Sequence, residues 1–144
     1  MKVASILKVK GSSVATTQPD ATIATVAREL TRQGIGALVV SENGASVLGM
    51  IGERDIVHGL AEHGARLLDM RVAQLMTRAV ITCVPDDSIT RVMAQMTRHR
   101  VRQIPVVEGG RLQGIVSIGD VVKHRLDELE TEANVLREAF LARH

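Results

Sequence analysis

The sequence predicts a mixed α/β fold assembled from two copies of one unit, related by a pseudo-two-fold axis. Three observations carry that expectation. Pro19-Asp20-Ala21-Thr22-Ile23 recurs as Pro85-Asp86-Asp87-Ser88-Ile89, 66 residues further on. After each Pro-Asp, an apolar stripe at helical spacing gives way to a β-type run, a glycine-containing turn and a second run. Each return run ends in a related motif, Gly49-x-x-Gly52-x-x-Asp55 and Gly114-x-x-Ser117-x-x-Asp120, from which another helix departs.

Composition agrees with a packed protein. At 144 residues, 45% hydrophobic and 24% charged, the chain can bury a real core. A half of about 65 residues buries too little surface to stand alone, so the halves are expected to fold against each other. No apolar run approaches the ~20 residues of a membrane helix, and Met1 to Lys8 is too short an apolar segment for a secretory signal. The cytoplasm is therefore the expected location, with no membrane partner. A net charge of +2 and a single aromatic, Phe140, supply neither the basic surface nor the stacking platforms that nucleic acids use. The lone Cys83 can form no internal disulfide. His58, His63, His99, His124 and His144 are scattered, and His58 and His63 miss the i, i+4 spacing of two ligands on one helix. No metal site is expected.

In chain order, Val3-Ala4-Ser5-Ile6-Leu7 resembles Val72-Ala73-Gln74-Leu75-Met76, and Thr16 corresponds to Thr82. Thr22 and Ser88 are placed as N-caps ahead of the stripes Ile23, Val26, Ala27, Leu30 and Ile89, Val92, Met93, Met96. Gly34 is placed to end the first helix. The β runs are 35–40 and 101–107, with Pro105 marking an edge or a ladder break. Asn43-Gly44 and Gly109-Gly110 are hairpin turns leading to return strands at 47–51 and 112–116. Helices then begin near Ile56 and Val121. In the C-terminal region Val122, Leu126, Leu129, Ala133, Leu136 and Phe140 keep a 3.5-residue period, a coiled-coil-like seam. A helix from about 119 to 142 would extend ~36 Å. It reads as a self-association element more than as a helix folded back on its own domain. The expected division is residues 1–67, residues 68–124 and a C-terminal extension, 125–144.

The stretch Gly114 to Asp120 carries the chemistry. A strand running into a helix start offers unpaired N–H groups and a dipole that favours an anion. Ser117 can add a hydroxyl, and the acceptor-only carboxylate of Asp120 suits a vicinal diol. The plainer reading is that both residues cap the helix; recurrence of the motif favours a site. Arg98, Arg100 and Arg102 alternate at a strand entry, which would set them on one face. A dinucleotide-binding loop fits poorly, because Gly34-x-Gly36 meets Val39 where the third glycine should stand and precedes a strand. Ser117, Asp120 and His124 do not compose a hydrolase triad. No enzyme activity is expected.

The order Pro-Asp, amphipathic helix, strand, turn, strand, Gly-x-x-(Ser)-x-x-Asp, helix resembles the CBS domain. The carrying residues include Leu75-Met76-Thr77, Val80 to Asp87, Arg102 to Val107 and Gly114 to Lys123. The whole chain is similar to a stand-alone tandem pair of the small bacterial signal-transduction type. The resemblance implies β-α-β-β-α units with two clefts between them. It also implies adenine-containing ligands (AMP, ADP, ATP, sometimes NAD(H) or S-adenosylmethionine), a homodimer, and regulation of an unknown protein without catalysis. Carried over by residue, one cleft sets Asp120 on ribose, Ser117, Arg102 and Arg100 on phosphate, and Ile115 and Ile35 around the base. There Gly36 gives room, Lys8 and Ser12 complete the wall, and Gln103 stands where the family often has His. The other cleft sets Asp55 on ribose, with Thr77 from the linker, Met50 and Val80 around the base, and Arg54 near phosphate. Its Gly52 replaces the usual hydroxyl, leaving space and a bare N–H through which a dinucleotide could pass, unless the cleft is empty. The alternative is a structural homodimerisation module with degenerate clefts.

Overall fold

A computed structural model describes residues 1–143; His144 lies outside the described residues. The chain begins with helix α1 (Val3–Lys10), followed by strand β1 (Thr16–Thr17), α2 (Ile23–Gln33), β2 (Ala37–Val40), β3 (Gly49–Gly52) and α3 (Glu53–His63). A 3-10 turn, Gly64–Asp69, leads to the short α4 (Val72–Leu75), then α5 (Ile89–His99), β4 (Gln103–Glu108), β5 (Arg111–Ser117) and α6 (Ile118–Ala142). The first unit is the expected β-α-β-β-α. Its sheet runs β1-β2-β3, with β1 parallel to β2 and β2 antiparallel to β3. In the second, β4 and β5 form an antiparallel pair, and Cys83 adds a parallel bridge to Val106 where β1 would stand.

The matching helices α2 and α5 form for the same local reasons. Thr22 Oγ1 accepts from Thr25 N–H, and Ser88 Oγ accepts from Arg91 N–H, so each stripe starts at a true N-cap. Ile23, Val26 and Leu30 are buried in one copy, and Ile89, Val92 and Met96 in the other. Pro105 is tolerated because its carbonyl accepts Cys83 N–H at 3.1 Å, so its ring nitrogen faces the same outer side and withholds no donor from β5.

The cores do not divide at residue 67. Val3 and Ile6 of α1 are fully buried among Ile89, Val92, Ile104 and Val116 of the second unit, whereas Val72 of α4 is buried among Ile23, Val26, Leu38 and Ile51 of the first. Backbone hydrogen bonds fix this exchange symmetrically. Ala4 N–H donates to Pro85 O and Ala73 N–H to Pro19 O, both at 2.9 Å. Val3 N–H donates to Asp87 O and Val72 N–H to Ala21 O, again both at 2.9 Å. These matched pairs are the pseudo-two-fold relation in atomic terms. The boundary at 124/125 likewise falls inside one unbroken helix, α6.

Of three local expectations, the first holds and the other two are corrected. The Gly109-Gly110 turn is a two-residue hairpin with φ of 59° and 75°, as such a loop requires. Asn43-Gly44 instead sits in a loop from Ser41 to Leu48, where Asn43 Oδ1 accepts from Ala45 N–H and Ser46 N–H. That side-chain turn shortens the return strand. Finally, α5 runs on to His99, so Arg98 is helical and Arg98, Arg100 and Arg102 do not alternate along a strand.

Ile6 is joined to its core partners only through the exchange. Ile6→Ala should lower the unfolding free energy of the whole chain by about 2–4 kcal/mol, measured by chemical denaturation, with one cooperative transition. A second transition, leaving residues of the first unit folded, would show the halves to be independent.

Candidate functional site

The motif of the first unit opens on a cavity of about 1100 Å³ between the two units. Strand β3 delivers Met50 and Gly52 to its wall, and the first turn of α3 delivers Arg54 and Asp55. Asp55 is held from two sides. Its Oδ2 accepts the Gly52 N–H at 2.9 Å, and its Oδ1 accepts the Thr77 hydroxyl at 3.0 Å. Thr77 reaches it because β3 takes an antiparallel bridge from the linker, Met50 to Thr77. An ionised carboxylate has lone pairs beyond those two contacts, so Asp55 is fixed in place yet able to accept more. Val80, from the same linker, completes this group, and all six residues expected for the cleft line the cavity.

Gly52 acts differently from the expectation. Its N–H is not bare, because Asp55 takes it. It leaves no space either: a Cβ there would lie 2.9 Å from Gly36 O and 3.2 Å from Ala37 Cβ. The close approach of β2 and β3 requires glycine and excludes the hydroxyl of a serine.

The opposite wall comes from residues assigned above to the other cleft. Ile35, Gly36, Arg100, Arg102, Gln103 and Ser117 all line this same cavity. A Cβ on Gly36 would meet nothing closer than 3.8 Å, so the room there is genuine. Arg54 Nη1 donates to Arg100 O at 3.3 Å across the interface. Arg100 ends α5 with φ 54° and ψ 41°, where α2 ends with Gly34 at φ 63° and ψ 39°. It is the one non-glycine among the described residues with a left-handed backbone, at a cost of about 1–2 kcal/mol. Gln103 Oε1 is buried without a hydrogen-bond partner.

Asp120, Ile115, Lys8 and Ser12 are not on this cavity. Asp120 and Ser117 form a reciprocal cap. Asp120 Oδ2 accepts Ser117 N–H at 2.9 Å, and Ser117 Oγ accepts Asp120 N–H at 3.2 Å. The plainer capping role therefore describes this pair. Lys10 adds a bond that the sequence did not announce: its Nζ donates to Asp120 Oδ2 at 2.6 Å and to Ile115 O at 3.1 Å. Burial would push the Asp120 carboxyl up, but the Lys10 and Ser117 hydrogen bonds outweigh it and hold it below its ordinary value. The ammonium stands where a ligand of this second cleft would need its carboxylate. Lys8 and Ser12 remain exposed.

The asymmetry follows from helix length. After Leu75, α4 stops and the chain turns into the Thr77 bridge, whereas α1 continues to Lys10 and is stopped only at Gly11, φ 92°. One motif carboxylate is thus held by a neutral hydroxyl beside an open cavity, the other by a cation. Glu53, which lines the open cavity through its place in the motif, was also unassigned by the sequence. Among the described residues, no group of His, Cys, Asp and Glu is arranged to hold a metal ion, and no helix is long and apolar enough to cross a membrane.

Comparison with known proteins bears on this architecture. The CBS domain description matches residues 8–62 and 72–127. A curated relative, the mitochondrial CBS domain-containing protein CBSX3 of Arabidopsis thaliana, is 33% identical over 140 residues, covering 90% of this chain and 67% of the relative. The crystal structure of a CBS-domain containing protein from Agrobacterium tumefaciens superposes with a TM-score of 0.83 at 42% identity, covering 87% of this chain and 99% of that one. The CBS domain pair of protein MJ0100, in complex with 5-methylthioadenosine and S-adenosyl-L-methionine, gives a TM-score of 0.77 at 25% identity, covering 89% and 98%. With two matched repeats spanning most of its length and a fold shared with these structures, the chain belongs to the CBS-domain family.

Proposed function

We propose that this chain is a non-catalytic cytoplasmic sensor that binds one adenine nucleotide in the Asp55 cleft. Its ligand state would be read by another protein. The observation that carries this reading is Asp55 on the wall of the cavity, fixed by the Gly52 N–H and the Thr77 hydroxyl with lone pairs left over. Ile35, Met50 and Val80 offer apolar contact to the faces of a base, and Asp55 offers its remaining lone pairs to a ribose diol. Arg54, Arg100 and Arg102 supply charge-assisted donors for phosphate. AMP, ADP and ATP fit this set better than NAD(H), since Gly52 provides no extra passage. The adenosyl ligands of MJ0100 support the same recognition. A second reading, a dimerisation module with degenerate clefts, draws on the Lys10 contact that occupies Asp120.

Isothermal titration with AMP should give one equivalent per chain. Asp55→Ala should weaken it at least about tenfold, the loss of one or two hydrogen bonds to the ribose, while Asp120→Ala leaves it unchanged. No heat with AMP, ADP, ATP or NAD(H) would favour the second reading. Freeing the carboxylate by Lys10→Met should add a second, weaker equivalent; stoichiometry fixed at one would show that more than Lys10 closes that cleft. Arg100→Gly should raise stability by about 0.5–1 kcal/mol, relief of the left-handed strain less the entropy of glycine, and lower AMP affinity. Unchanged affinity would remove Arg100 from the phosphate site.

A further inference from the structure

Helix α6 outruns the body that it caps. Val121 is fully buried in the second core, and Glu128 is tied to Arg125 at 2.9 Å and to the N-terminal amine at 3.6 Å. From Leu129 onward every described residue is exposed, an overhang of about 21 Å at 1.5 Å per residue. Its apolar side chains form one line: Val122, Leu126, Leu129 and Leu136 are 42%, 61%, 43% and 71% exposed, with Ala133 between the last two. Successive steps of four and three place Val122, Leu129 and Leu136 at d positions of a heptad, and Leu126 and Ala133 at a positions. The small Ala133 permits close approach of a second helix at mid-seam.

The charges beside the seam select the occupant and its direction. Arg125 and Glu132 fall at g, and Lys123, Glu130 and Arg137 at e. In a parallel, in-register pair each g residue faces the e residue five positions later on the other helix, so Arg125 meets Glu130 and Glu132 meets Arg137. Both contacts join opposite charges, and symmetry doubles them. An antiparallel pair that overlaps the same seam aligns e with e and g with g. Glu130 would then face Glu130, Glu132 would face Glu132, and Lys123 would face Arg137. Every charged contact would repel. Arg125 is already engaged with Glu128 on its own helix, which leaves Glu132 and Arg137, out on the overhang, as the discriminating pair.

We propose that α6 pairs with α6 of a second copy of this chain as a parallel, in-register coiled coil, holding two sensor bodies side by side with the same ends together. This association does not depend on nucleotide binding. The test uses the full chain without ligand. Sedimentation equilibrium should show a concentration-dependent dimer, and Leu129→Asp/Leu136→Asp should be monomeric while still melting in one cooperative transition. Glu132→Lys should weaken the dimer by about tenfold, two attractive pairs becoming repulsive, and Glu132→Lys/Arg137→Glu should restore it. Direction is read with Leu136→Cys. Cys83 is buried and burial pushes its thiol up to about 12, so the added thiol is the reactive one. Mild oxidation should give a disulfide-linked dimer, because the two 136 positions meet only in the parallel register. A monomeric parent, a dimer that survives the two aspartates, or a dimer that Leu136→Cys fails to cross-link would each overturn the proposal.

Discussion

The structure rests on an exchange. Each unit leaves its core open at the place where its own first helix would sit, and each fills the other's opening. Ala4 to Pro85 and Ala73 to Pro19 are the same hydrogen bond made twice, at the same 2.9 Å. Burying Val3 and Ile6 on one side and Val72 on the other removes from water apolar surface that neither half could cover alone. The cleft exists because of this arrangement. Its walls are the backs of two units that cannot separate without losing their cores, so residues about 50 positions apart in sequence, such as Asp55 and Gln103, can be held opposite one another.

The same exchange makes the two motif carboxylates unequal. The segment entering the first motif is a turn that ends in a hydroxyl, Thr77, and the segment entering the second is a helix that ends in an ammonium, Lys10. Both anchor a carboxylate and both contribute to packing. Only the hydroxyl leaves the carboxylate without a cation on it and the neighbouring space open. Duplicated sequence thus yields one open cavity and one corner already satisfied by the protein itself.

Most of the fold was legible because it is written in local chemistry. Thr22 and Ser88 cap as their positions suggest, the apolar stripes bury, and Gly109-Gly110 turns where two left-handed residues are needed. What escaped was relational. The repeat offset could not tell that Val3 packs in the second unit and Val72 in the first, since either assignment gives the same periodicity. The Asn43 turn escaped because its side chain competes for backbone donors within the loop. The end of α5 escaped because Arg100 takes a conformation that glycine ordinarily signals. For the cavity, the lining differs from the grouping expected from the sequence. Ile35, Gly36, Arg100, Arg102 and Gln103 join Asp55 and not Asp120, an outcome decided by how the units lean together and by how far α1 runs before Gly11.

The second motif passes from β5 into α6 without a single intervening residue, Ser117 closing the strand and Ile118 opening the helix. Ser117 also borders the cavity. A stiff rod of 25 residues is therefore clamped at its base to the chamber wall. With Val121 buried and Glu128 tied down, a tilt of about 5° would sweep the far tip by about 2 Å over the ~21 Å that overhang, at 1.5 Å per residue. Geometry of that kind works as a lever: a slight rotation near its base becomes a larger displacement at its tip.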